Sequence, residues 1–409
     1  MSNPLHRIYL TRISMKKHKI FVETEHHQYH KRGQLVCGDT FLSRKLKEEK
    51  RVISVLSDGL GSGVKANVLS TMTATMALNY ISYHYDLKET ARAIIRTLPV
   101  CSQRKISYAT FTIAEIDHNN RVYLVEYGNP PTIVIRDGRP LPLERQEISL
   151  TRMDRIHDTL YYSAFNGELG DRIILLSDGI TQSGIGTKQF PFGWGEKALS
   201  DFACQLLKQQ PGINARTLAR IITDKALAYD HKTPYDDMTC GVMTLRHPRE
   251  LLLITGPPID KKNDSRMADL FNTFSGTRII CGGTTANIIA RETGRKLTVN
   301  LKDFDPEIPA TSTMEGADLV TEGSITLGKV LQILENGCNP DNLPSNGAGR
   351  LIHHFLNSDK ISFLVGTKIN EAHQDPNVPV ELEIRRNLVK QITRLLETKY
   401  LKEVTITFI

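Results

Sequence analysis

Four places in the first 245 residues set an aspartate at the start or end of an apolar run. They are Asp39 in LVCGDTFL, Asp58 in VISVLSDGLGSG, Asp178 in RIILLSDGITQSG and the pair Asp236-Asp237 in PYDDMTCGVMTL. Apolar runs this short, bounded by turn residues, read as buried strands. A carboxylate at the exit of such a strand is costly unless a positive charge meets it. Strands position side chains well, so acids delivered by several of them can converge on one rim of a sheet. Four carboxylates there cannot all remain ionised without cations. Oxygen donors in that number suit Mg2+ or Mn2+ rather than zinc. A lone Asp-Gly would read as a turn or a helix cap; recurrence at four strand ends favours a metal site.

The run VISVL ends in SDGLGSG, with glycines at 59, 61 and 63. They let the backbone bend where side chains would clash, and Gly59 is free to turn its carbonyl toward the ion that Asp58 would hold. The following VKANVLSTMTATMALNYISYHY contains no proline and sets Val64, Val68, Met72, Met76 and Tyr80 in helical register. A second helix, LKETARAIIRTL, ends at Pro99. Upstream, KIFVETEHHQYH and QLVCGDTFLS read as strands, and RKLKEEKR as a solvated hairpin turn. His26, His27 and His30 fall on the first of these and read as an edge strand with polar faces. Downstream come the strands YATFTIAEID, RVYLVEYGNPPTIVIRDGRP, TLYYSAFNGEL and RIILLSDGI. Two helices follow, EKALSDFACQLLKQQ and NARTLARIITDKALAY, the latter capped by Asn214, and YDDMTCGVMTLR closes the unit as a strand. Blocks of strands separated by helix pairs predict two sheets covered by helices on both faces.

The pattern changes after His247-Pro248-Arg249. Strands then alternate with helices, so a smaller, open α/β domain over 248–409 is expected to follow a first domain over 1–247. In RIICGGTTANIIAR, residues Gly282, Gly283, Thr284 and Thr285 form a candidate cradle of backbone N–H groups for a small anionic ligand. A plain strand-to-helix turn with Thr284 as N-cap accounts for the same letters. MEGADLVTEGSITLGK adds Glu315, Asp318 and Glu322, either beside the same pocket or in a solvated loop. No nucleophile or acid–base pair with a clear partner stands out there, so ligand sensing or partner docking is the expectation for this domain.

With 409 residues, 40% hydrophobic and 24% charged, the chain has an ordinary globular profile. Apolar stretches such as LLLI at 251–254 are too short to span a bilayer, and the N-terminus lacks the apolar core of a secretion signal. No membrane association and a cytoplasmic location are therefore expected. The six cysteines, Cys37, Cys101, Cys204, Cys240, Cys281 and Cys338, show no CxxC spacing and read as buried reduced thiols. The net charge of +7 is modest, and no nucleic-acid-binding signature accompanies it, so no nucleic-acid partner is expected.

The ordered set GD at 38–39, DGLGSG at 58–63, GDRIILLSDGI at 170–180 and DDMT at 236–239 resembles the metal-dependent serine/threonine protein phosphatases, most closely the SpoIIE type within the PPM superfamily. The resemblance covers roughly residues 19 to 246. It implies an α+β fold, the PPM-type αββα four-layer sandwich, with two Mn2+ or Mg2+ ions at one end. Carried over, Asp39 and Asp58 are metal ligands, Asp58 bridging, and the Gly59 carbonyl adds an oxygen. Asp178 binds the second ion and Asp236 completes it; Asp237 is the weaker candidate of that pair and orients the turn or Thr239. Asp39, Asp58, Asp178 and Asp236 are thus the expected catalytic set. A water acidified between two such ions attacks the phosphorus of phosphoserine or phosphothreonine in line, with no covalent intermediate. Cys37 stands where relatives commonly carry serine, and Arg32 is a candidate for holding phosphate. The helix after Asp58 is implied to be a switch acting on metal occupancy. The resemblance further implies a phosphorylated bacterial regulator as substrate, of the anti-sigma-antagonist (STAS) type. Two rival readings are a catalytically silent phosphoprotein sensor or scaffold and a phosphatase fused to a small-molecule-sensing domain. The sequence leaves oligomeric state open, a homodimer included.

Overall fold

The structure, a computed structural model, describes residues 20–98, 109–151, 157–300, 305–337, 342–367, 379–400 and 402–409. Residues 1–19, Pro99, Cys101 and Cys338 lie outside them. Contacts divide the chain into two units, Met1–His247 and Pro248–Ile409.

In the first unit, β1 (Phe21–Tyr29), β2 (Thr40–Leu46) and β3 (Arg51–Gly59) are followed by α1 (Gly63–Ser82) and α2 (Leu87–Thr97). Six strands come next: β4 (Ala109–Ile116), β5 (Arg121–Tyr127), β6 (Ile133–Arg136), β7 (Arg139–Pro140), β8 (Gln146–Thr151) and β9 (His157–Asn166). Then come β10 (Arg172–Leu176), the single-turn α3 (Asp178–Thr181), α4 (Glu196–Gln209), α5 (Ala215–Tyr229) and β11 (Met238–Arg246). One sheet has the order β2-β3-β4-β5-β9-β8 and the other β1-β11-β10-β6-β7. β1 is an edge strand; His27 Nδ1 lies 2.6 Å from Thr223 Oγ1, and the His26 ring stacks on Phe41.

Strand alternation sorts the apolar side chains into three stacked cores. Ile53 and Val55 of β3 pack with Ala74, Leu78 and Ile81 of α1 and Ile94 of α2. Leu56 of the same strand points the other way, into an inter-sheet core with Ile173, Leu175, Met243 and Leu245. Ile174 and Leu176, the alternate residues of β10, pack under α4 and α5 with Leu199 and Ile222. Helix, sheet, sheet, helix is the four-layer order that the motif set implied.

The apolar stripe that marks α1 as a helix is not its packed face. Val64, Val68 and Met72 are 68%, 49% and 57% exposed, while Ala66, Ser70, Thr73, Ala74 and Ala77 are buried. The cause is close approach. A Cβ on Gly59 would stand 2.1 Å from the Ala66 carbonyl oxygen, so the start of this helix rests on the end of β3 through small residues.

The second unit contains β12 (Glu250–Thr255), α6 (Asn263–Thr273), β13 (Thr277–Cys281), α7 (Gly283–Thr293), β14 (Leu297–Val299) and β15 (Ser312–Met314). After these come β16 (Leu319–Thr321), α8 (Ser324–Asn336), α9 (Gly347–Asn357), β17 (Lys360–Val365), α10 (Pro379–Thr398) and β18 (Glu403–Phe408). The sheet order is β14-β15-β16-β13-β12-β17-β18, with β16, β13, β12, β17 and β18 parallel. Leu251 and Leu253 join a core with α8, α9 and α10, while Leu252 and Ile254 join one with α6 and α7. Helices therefore cover both faces. Gly294 closes α7 in the left-handed conformation at φ 68°. Thr284 is not the cap of that helix: α7 starts at Gly283, and Gly282 occupies the N-cap without a side-chain bond. DLVT, read within a loop, contributes instead the short strand β16. Among the described residues no helix is long and apolar enough to cross a membrane.

Candidate active site

Pairing in each sheet of the first unit brings two acidic positions to the same end. β2 and β3 are antiparallel with Thr40 opposite Ser57, so one step further along the register sets Asp39 across from Asp58. β10 and β11 are antiparallel with Leu176 opposite Cys240, and the Ser177 N–H donates to the Thr239 carbonyl at 3.0 Å. Asp178 therefore leaves β10 where Asp236 and Asp237 enter β11. The two ends meet: a Cβ on Gly38 would lie 2.7 Å from Asp237 Oδ2, and one on Gly179 would lie 2.2 Å from the Asp237 carbonyl oxygen. Gly179 thus lets α3 start directly against the first residues of β11.

The electrostatics follow from this crowding. Asp39 is 1% exposed and neither of its carboxylate oxygens makes a hydrogen bond of ordinary geometry. Burial pushes its carboxyl up to about 7; the Thr239 and Ser177 hydroxyls ease the shift, and Asp237 and Asp178 add to it. Asp58 keeps some exposed surface, but desolvation of its carboxyl end is still the largest cause of a pKa well above the usual range, followed by Asp39, Asp178, Asp236 and Asp237. Asp178 is raised first by burial and then by Asp236, and is eased by a hydrogen bond with Asp58 and by Gln182, whose Nε2 donates to Oδ2 at 3.0 Å. Asp39, Asp58 and Asp178 are thus all raised where carboxyl groups from four chain segments crowd together.

Asp236 and Asp237 differ in their commitments. Asp237, 4% exposed, accepts the Lys31 backbone N–H on Oδ1 at 2.9 Å. The Asp236 side chain is 43% exposed and lies 3.5 Å from Lys31 Nζ. Lys31 is the charged neighbour of this acidic end that the sequence pattern did not single out; the candidate there was the adjacent, exposed Arg32. Its only sequence signal is a basic residue just past the end of β1, shortly before GD.

The donor set is all hard oxygen, and a carboxylate as deeply buried as Asp39, with no donor in ordinary hydrogen-bond geometry, needs either a proton or a cation. By donor chemistry the residues fit Mg2+ or Mn2+. Among the described residues no three acid, histidine or cysteine side chains already close around one point.

Cys37, Cys204, Cys240 and Cys281 are free and buried. In the second unit Gly282, Gly283, Thr284 and Thr285 line one cavity of about 260 Å³, as does Glu322. Glu315 and Asp318 are not among the described residues lining it; Asp318 accepts the Arg278 N–H at 2.7 Å.

Comparison with known proteins gives matches for the first unit. The family model of Stage II sporulation protein E (SpoIIE) matches residues 48–246. Phosphoserine phosphatase RsbX of Bacillus subtilis (strain 168) is 27% identical over 164 residues, 39% of this chain and 75% of RsbX. The solved PP2C phosphatase domain of B. subtilis SpoIIE with a fragment of its regulatory domain is similar at TM-score 0.45 and 20% identity. That match covers 56% of this chain and 63%, less than two thirds, of the SpoIIE chain. RsbX in complex with magnesium is similar at TM-score 0.37 and 21% identity, over 55% of this chain and 99% of that one.

Proposed function

We propose, from the premise that residues 48–246 are a SpoIIE-type phosphatase domain, that this chain hydrolyses phosphoserine or phosphothreonine on a regulatory protein with the help of divalent metal ions. One observation carries the reading: Asp39, Asp58, Asp178 and the Asp236-Asp237 pair, from four chain segments, gather at one end of the paired sheets, where burial and the neighbouring carboxylates raise the proton affinity of Asp39, Asp58 and Asp178. Such a cluster has no structural use that apolar residues would not serve better.

Asp39, Asp58, Asp178 and Asp236, with the Gly59 carbonyl, would hold Mn2+ or Mg2+ there. Divalent ions at such a site supply an acidified water and neutralise charge on the phosphoryl oxygens. The protein's own contribution is positional. Gln182 orients Asp178, and the Lys31 backbone fixes Asp237 at the entry to β11. Lys31 Nζ beside Asp236 places a positive charge where an anionic substrate would approach. The substrate class we favour is a phosphorylated regulator of STAS type. RsbX, named a phosphoserine phosphatase, supports the phosphoserine part of it; the STAS part rests on the motif resemblance.

Hydrolysis of p-nitrophenyl phosphate and of a phosphoserine peptide, with Mn2+ and with chelator, tests the reading. Asp178→Asn should lower the metal-dependent rate by about a hundredfold or more, since metal charge stabilisation is worth several kcal/mol. Metal binding without turnover in the wild type would select the silent phosphoprotein-binding scaffold instead.

A further inference from the structure

The second unit has a cavity at the carboxyl ends of its central strands, beside the place where the sheet reverses direction. From β12 the chain steps to β13 and β16 on one side, then returns to β17 and β18 on the other. Ligands of open α/β sheets lie in crevices at such a reversal. Two helix N-termini face this cavity, α7 through Gly282 and Gly283 and α8 through Gly323. The two turns touch, since a Cβ on Gly323 would stand 3.7 Å from the Gly282 Cα. They are tied together by the Gly282 N–H donating to the Thr321 carbonyl at 2.9 Å and the Cys281 thiol donating to the Glu322 carbonyl at 3.0 Å.

The two N-termini are not equivalent. At α8 the Glu322 carboxylate accepts the Gly323 N–H, so that end already carries an anion. At α7 the first helical bond is the Ala286 N–H to the Gly282 carbonyl, 2.9 Å, which leaves the N–H groups of Gly283, Thr284 and Thr285 ahead of the ladder. Thr285 lines the cavity, is 1% exposed, and its hydroxyl has no hydrogen-bond partner among the described residues. A buried hydroxyl without a partner is costly, so this one points to a ligand atom. Arg385, on α10, lines the same cavity; its Nη1 lies 2.6 Å from where a Cβ on Gly256 would stand. Gly282 itself adopts φ 130°, open essentially to glycine, and so cannot carry a side chain into the cradle without strain.

We propose that this cavity binds the phosphate group of a small, hydroxylated phosphate ester, held by the first N–H groups of α7, the Thr285 hydroxyl and Arg385, with Glu322 accepting a hydroxyl of the same ligand. A tetrahedral phosphate, with three terminal oxygens, uses this set of donors more fully than a planar carboxylate does. A volume of about 260 Å³ exceeds what a bare ion fills. Glu322 repels a second phosphate at α8 and offers an acceptor to a sugar-type hydroxyl. The site belongs to the second unit and does not depend on the phosphatase reading.

Hydrogen–deuterium exchange on the full chain tests it, in chelator so that no divalent ion in the first unit can hold phosphate. The probes are ribose 5-phosphate, adenosine 5′-monophosphate, inorganic phosphate and ribose. At least one ester should slow exchange at amides 283–286 and bind more tightly than inorganic phosphate, while ribose does nothing. Thr285→Val should weaken that ester about fivefold, the loss of one hydrogen bond. Gly283→Asp is the decisive variant: a Cβ there meets nothing within 4 Å, and an acid in the first turn suits the helix dipole. It should leave exchange elsewhere in 248–409 unchanged and abolish ester protection. The proposal is overturned by no protection from either ester at millimolar concentration, by protection that survives in Gly283→Asp, or by inorganic phosphate binding as well as the esters.

Discussion

Asp39 is the residue on which most of the first unit's chemistry turns. Its ordinary value of 3.8 is pushed to about 7, chiefly by burial, so between those pH values the folded protein keeps a proton that the unfolded chain has released. The unfolded state then binds fewer protons, and stability falls as pH rises through that window. The thermal midpoint of the first unit, measured in chelator from pH 4 to 8, should drop by on the order of several degrees. Saturating Mg2+ should remove the drop, and Asp39→Asn should flatten it. A wild-type profile that is already flat in chelator would mean the carboxyl is not desolvated as the structure has it. The glycines next to the acids make a second claim at this scale. Gly179→Ala would force a Cβ to within 2.2 Å of the Asp237 carbonyl oxygen. It should cost about 1–3 kcal/mol in denaturant unfolding, as overpacking does, and lower activity with it. The letters S-D-G announce an acid at a strand end; they carry no hint that the glycine is there for the backbone of a residue almost sixty positions away.

Local signals read the elements well wherever the determinant is itself local. Asn214 caps α5 by accepting the Thr217 N–H at 2.7 Å, and Gly294 ends α7 in the left-handed conformation. The charged stretch RKLKEEKR does hold the β2–β3 hairpin, but the turn itself is only residues 47–50; Arg44, Lys45 and Leu46 extend β2 and Arg51 opens β3. The first helix is the instructive case. Its heptad-like stripe of Val64, Val68 and Met72 establishes that it is a helix, but a stripe cannot say which face meets the sheet. Ala66 against Gly59 admits only small residues at the first turns, so Val64, Val68 and Met72 face outward, while Leu78 and Ile81 further along pack into the core. Regulation through this helix, which is adjacent to Asp58 and Gly59, leads to a paired expectation. Val68→Glu, on the exposed face, should change stability by no more than about 0.5 kcal/mol, yet shift Mn2+ affinity or turnover measured on p-nitrophenyl phosphate. If Val68→Glu and Met72→Glu both leave affinity and rate at the wild-type level, α1 is not a control element.

At the scale of the whole molecule, each apolar core of the described residues is built within one unit. Among the described residues, three cores lie in residues up to 245 and two from 251 onward. Fragments 1–247 and 248–409 should therefore each unfold cooperatively by calorimetry, and the first should retain the metal-dependent phosphatase rate. A fragment that expresses only as a molten, dye-binding species would show that its core needs more than its own unit. The sequence by itself determined the layering, because period-2 alternation with β-branched residues commits each strand to two faces, and the four aspartate motifs come in a recognisable order. Only the tertiary structure decided which groups meet: Lys31 with Asp236 and Asp237, Gly38 with Asp237, and Arg385 and Glu322 around one cavity with Gly283 and Thr285. Those meetings join residues separated by forty to two hundred positions. They are set by strand register and sheet order, which depend on the chain as a whole and leave no mark in any local window of sequence.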